Sequence, residues 1–179
     1  MKRFQMPLRW LEDVDGLTVA QILDREGQYR PDSLVAAIYR ALQHKQASAG
    51  DAALSADERR ALRVLEMYAA VDNLGHYAFF YNATAQELRD LLPAISAVGC
   101  PDAADNAARA LAAIGFAPER PELDDAWLDR TLGSEDGQRD ATLERCDSAF
   151  YGHCSQLEQA VLAYVRRHLS AFDAFIEAP

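Results

Sequence analysis

Apolar positions return every three or four residues along most of this 179-residue chain, the period of helices buried on one side. Residues 1–16 carry Trp10 and Leu11 among charges, end at Gly16 and read as an irregular N-terminal arm. Thr18 is placed to cap a short helix over Val19–Arg25, which Gly27 stops. Pro31 suits the first turn of the next helix, whose apolar face is Leu34, Val35, Ile38, Tyr39 and Leu42. Ala47–Ala53 is small and polar and reads as a loop. Ser55 and Glu58 then form a capping-box pattern, each side chain meeting a free backbone N–H at a helix start. Leu62, Leu65, Tyr68, Ala69 and Val71 carry this helix to about Asn73, and Gly75 breaks or kinks it.

The cluster Tyr77-Ala78-Phe79-Phe80-Tyr81 has the propensity of a strand, but its helical surroundings predict a short helix closed by Asn82. Thr84 and Glu87 repeat the capping box before Leu88, Leu91, Leu92, Ile95 and Val98, with Pro93 expected to bend the helix and Gly99 to stop it. Pro101 opens a further helix that turns Ala104, Ala107, Ala108, Leu111 and Ile114 inward and stops at Gly115; the two pair as a helical hairpin. Pro118 to Asp140 is the loosest and most acidic region, with one short docked helix at Trp127, Leu128 and Leu132. The period resumes through Leu143, Cys146, Phe150 and Tyr151, is predicted to break at Gly152, and ends in a helix carrying Leu157, Val161, Leu162, Val165 and Leu169. The expected fold is all-α, a single-domain multi-helix bundle of helical hairpins. Residues 1–54 form an arm and helices packed on a main helical domain over 55–179.

Composition supports this reading. Half the residues are hydrophobic, enough for a core without metal or disulfide staples, and 33 alanines against 9 glycines and 7 prolines favour helix. No apolar run approaches the roughly 18 residues of a membrane span, and the first residues lack the apolar stretch of a secretory signal. Cys100, Cys146 and Cys154 form no disulfide framework, and on one helix Cys146 and Cys154 would lie about 12 Å apart, too far to bridge. The expected address is the cytoplasm.

Charge changes the picture more. Twenty-eight acids against 18 bases give a net −10, which repels nucleic-acid phosphate and anionic lipid and attracts basic partners. Ten acids and four arginines lie between Glu119 and Asp147, a local net of −6. Elsewhere the chemistry is sparse. Asp72 and His76 would share a helix face, as a base or a metal-binding pair, if the helix continued through Gly75. Cys146, His153 and Cys154 have poor zinc spacing, and packed thiols are the better reading. Arg59, Arg60 and Arg63 adjoin Asp57 and Glu58 and read as a solvated helix face. The chain has no glycine-rich phosphate loop, nucleophile elbow or His-Glu-x-x-His, and the run 77–81 reads as core; no cofactor and no catalytic residue is assigned.

Val71-Asp72-Asn73-Leu74-Gly75-His76-Tyr77-Ala78-Phe79-Phe80-Tyr81-Asn82 resembles the hallmark of the DNA mimic protein 19 family, an Asn and paired glycines, an aromatic, then Phe-Phe-x-Asn. Leu74 stands where that pattern has its first glycine. Leu88 to Gly99 and Ala103 to Ile114 look like the helical pair that follows. Asp147, Phe150, Tyr151, Leu157, Tyr164 and His168 match the order of the family's tail, an Asp before an aromatic pair and a Leu-rich helix ending in Tyr-x-x-x-His. The resemblance covers about residues 55–170. It implies an all-α, often dimeric protein whose acidic face occupies the DNA-binding surface of a basic protein such as a transcriptional regulator. The hallmark would then be core and turn, with Gly75 allowing a close backbone approach and Asn82 capping the helix after it.

The leading expectation is a non-enzymatic acidic interaction protein in transcription regulation, contacting a basic DNA-binding protein through Asp124, Asp125, Asp129, Asp136, Asp140 and Glu144. Direct nucleic-acid or membrane binding is not expected; a homodimer is compatible. The alternatives are a small metal-dependent hydrolase using Asp72 and His76, or a regulatory or immunity-type module with a non-basic partner.

Overall fold

Three capping boxes begin three helices of the computed structural model, which describes residues 8–176. Thr18, Ser55 and Thr84 each accept from the backbone N–H three residues on, and Gln21, Glu58 and Glu87 each reach back to the capping residue. These pairs start α1 (Val19–Leu23), α3 (Ala56–Asn82) and α4 (Ala85–Val98); between the first two lies α2 (Pro31–Ala49), opened by its proline. α5 (Pro101–Ala113), α6 (Asp125–Leu132) and α7 (Gly137–Arg167) complete seven α-helices among the described residues. Apart from isolated bridges, no strand is formed among them. The all-α expectation holds.

The 31-residue α7 is the spine, packed chiefly on α3 and α5 and also on α2 and α4. One buried apolar cluster runs from Leu11 in the arm to Ile176 near the C-terminus. The tail motif closes it: the Tyr164 hydroxyl donates to Asp57 at 2.6 Å, and His168 stacks on Tyr164 with Nδ1 3.4 Å from the same carboxylate. Glu58, fully buried, does more than cap. Its Oε2 accepts from the Ser55 N–H and from Lys45 Nζ on α2, and its Oε1 from the N–H groups of Asp173 and Ala174. One carboxylate therefore binds α2, α3 and the C-terminal segment together.

Several expectations need correction. α1 ends at Leu23, and α2 runs through 47–49 to Gly50 before the turn at Asp51–Ala53. α7 continues through Gly152, because that glycine is helical and exposed while the buried stripe from Leu143 to Val165 persists on either side. Tyr151 points outward, as does Ala108; Ala103, Asn106 and Ala110 face inward on α5 instead. Asn82 does not cap α4. It donates to the Ala78 carbonyl at the end of α3, and Thr84 is the cap. Part of the N-terminal arm, residues 1–7, lies outside the described residues.

Candidate functional site

The break in α3 is the local event from which the site is built. Gly75 takes φ 80° and ψ 174°, so the helix stops at Leu74 and restarts at His76. These dihedrals are open to glycine almost alone. The restart exposes the His76 N–H, and Asp147 from α7 answers it. Asp147 Oδ1 accepts from the His76 backbone N–H at 2.8 Å and lies 2.6 Å from His76 Nδ1. A second need for glycine is steric, because a Cβ on Gly75 would come within 2.5 Å of Asp147 Oδ2.

His76 is 1% exposed, between Phe80 and the edge of Phe150. Burial lowers its pKa below 6.5 against the opposing pull of Asp147, so at neutral pH the ring is uncharged and Nδ1–H donates to the carboxylate. Nε2 has no partner. The pairing anticipated between Asp72 and His76 is therefore not formed; Asp72 is exposed beyond the break and Asp147 takes its place. Among the described residues no three His, Cys, Asp or Glu side chains gather as metal ligands.

The sign of the pH dependence follows. The unfolded chain takes up the His76 proton first, so the stability from keeping His76 neutral is complete above about pH 6.5 and is lost as pH falls through the lower folded value. Urea midpoints measured at neutral and mildly acidic pH are expected to fall on acidification, and His76→Gln to flatten that fall. An equal fall in the variant would show that another group carries it.

Asp147 also faces outward. It lies on the wall of a cleft of about 490 Å³ between α7, the end of α6 and Tyr77. Glu135, Asp140 and Glu144 line the same cleft, over a floor that includes Leu132 and Leu143. Arg139 is its basic member, and it is occupied. Its guanidinium donates to the carbonyls of Thr131 at 2.6 Å and Ser134 at 2.9 Å, to Asp140 at 2.8 Å, and lies 5.7 Å from the Tyr77 ring centre. The Tyr77 hydroxyl adds a bond to the Leu132 carbonyl. These groups hold the end of α6 against the start of α7, while Glu135 and Glu144 pair with no base among the described residues.

All six anticipated partner-facing acids are exposed, but they have different local roles. Asp124 caps α6 by accepting from Trp127 N–H, and Asp136 caps α7 by accepting from the N–H groups of Gln138 and Arg139. Asp125 accepts from Ala85 N–H at the start of α4. Asp140 and Glu144 meet in the cleft, whereas Asp129 sits one turn beyond Asp125 on α6 and does not line it. Sequence reasoning left Glu135 and Asp147 out of the set. Asp147 carried a signal, since it heads the tail motif, but its partner is 71 positions away.

The family model described as DMP19-like protein matches residues 52–168. Comparison with curated proteins and with solved structures returned no match. The matched span contains the broken helix, the Gly75–His76–Asp147 contact and the acidic cleft, and it takes in nearly two thirds of the sequence. The chain belongs to the DMP19-like protein family.

Proposed function

We propose that this chain is an acidic interaction protein that presents a DNA-like array of carboxylates to the DNA-binding surface of a basic protein such as a transcriptional regulator. The observation that carries this reading is the row Asp140, Glu144 and Asp147 on one face of α7, with Glu135 in the same cleft and Asp136 at the helix N-cap. Its members follow at four- and three-residue spacing, so successive carboxylates rise by about 4.5–6 Å along one helix face. The cleft beside it holds four acids, and its one arginine donates to two backbone carbonyls and to Asp140, which leaves Glu135 and Glu144 with no base among the described residues. Each strand of duplex DNA offers one negative charge per roughly 3.4 Å of axis, so a short acidic row presents a sparser copy of part of one phosphate edge. Association would be steered by charge and weakened by salt over a Debye length of about 8–10 Å. Asp124, Asp125 and Asp129 extend the negative surface along α6.

Asp140→Lys with Glu144→Lys is the informative variant, because neither carboxylate caps a helix. Immobilised chain is exposed to the heparin-binding protein fraction of a cell extract. DNA-binding proteins retained by the parent chain at low salt are expected to be lost from the double variant. Equal retention by both chains would sink the assignment of this face.

A further inference from the structure

Leu74, Tyr81 and Tyr151, at 76%, 67% and 56%, are the most exposed large apolar side chains among the described residues. They lie on the elements that meet around the break in α3. Leu74 is the last residue before the break in α3, and Tyr77 and Tyr81 lie one turn apart on the segment after it. The Tyr151 hydroxyl donates to the Asp72 carbonyl at 3.2 Å, which places α7 beside the same break. His76, Phe79 and Phe80 supply the core contacts of this segment, so Leu74 and Tyr81 are not needed there.

The acidic row runs into this patch. Asp140, Glu144, Asp147 and Tyr151 follow one another at four-, three- and four-residue spacing, a single face of α7, and Tyr77 lines the acidic cleft itself. Interfaces join aromatic anchors to a charged rim in this way, and a mimic of phosphates alone has no use for the anchors. We propose that Leu74, Tyr77, Tyr81 and Tyr151 are the apolar half of a composite docking surface, whose occupant is a basic protein segment with apolar side chains beside its arginines. The proposal rests on the acidic face being the partner surface. Charge complementarity selects the occupant: arginine pairs with carboxylates and stacks on tyrosine rings, whereas a second copy of this chain would set one acidic row against another.

Two synthetic peptides of equal charge test it, one placing arginines among alanines and the other replacing the alanines of one helical face with leucines. The leucine peptide is expected to bind the full chain about ten-fold tighter, a difference of about 1.4 kcal/mol. Leu74→Ser with Tyr81→Ser should remove that margin, weakening the leucine peptide about ten-fold more than the alanine peptide. Among the described residues neither side chain makes a hydrogen bond, and Tyr151→Ser gives an independent reading from the neighbouring helix. Equal affinities for the two peptides, or a margin that survives the serine variants, would overturn the proposal while the acidic face stands. Failure of both peptides to bind, or unchanged binding to Asp140→Lys/Glu144→Lys, would overturn the acidic face with it. A parent dimer that the serine variants convert to monomer in sedimentation would assign the patch to a second copy instead, and the proposal would fail.

Discussion

Gly75→Ala is expected to destabilise the protein by about 3 kcal/mol or more, the sum of backbone strain and a steric conflict. The first part arises because φ 80° with ψ 174° is a conformation that a Cβ makes costly. The second arises because that Cβ would meet Asp147 Oδ2 at 2.5 Å, and Asp147 cannot withdraw without abandoning both bonds to His76. Asp147→Ala alone should cost about 2–4 kcal/mol, since it strands a buried backbone N–H and a buried ring N–H. In the double variant the steric part vanishes. The two losses should therefore sum to more than the measured total by about 1–3 kcal/mol. Urea unfolding of the four proteins measures this directly. Strict additivity would mean that the glycine serves the backbone angle only.

Glu58→Ala should have a comparable effect, about 3 kcal/mol, because it leaves three backbone N–H groups without their shared acceptor and Lys45 with Asp173 alone. Glu58→Gln is no remedy: one end of the carboxylate becomes an NH₂ group facing donors on whichever side it turns. The loss should be local before it is global. Hydrogen exchange at Asp173 and Ala174 should accelerate first, as the C-terminal segment leaves α3. Unchanged protection at those two amides, with only the melting temperature lowered, would show that the carboxylate acts through helix capping alone.

The sequence reveals the fold's punctuation well and its long-range partners poorly. Thr18, Ser55 and Thr84 announce their helices because a cap and its reciprocal Glu or Gln lie three residues apart and need nothing distant. Gly75 was legible as a break for the same local reason. Gly152 misled, since a helical glycine costs only about 1 kcal/mol, which the buried stripe on both sides of it overrides. The ligand of His76 was out of reach: spacing proposes Asp72 four residues back, whereas the fold supplies Asp147 from another helix. Likewise, charge counting located the acidic segment. Which acids share a cleft depends on how Arg139 holds the end of α6 to the start of α7. The meeting of Glu135 with Asp147 is written in that tertiary contact alone.

Competition against duplex DNA reads phosphate mimicry most directly. A DNA-binding protein captured on the immobilised chain is challenged with a duplex carrying its own site. The account predicts mutually exclusive binding, with release rising as the duplex saturates the captured protein. A stable ternary complex, in which that protein holds the duplex and this chain together, would contradict it.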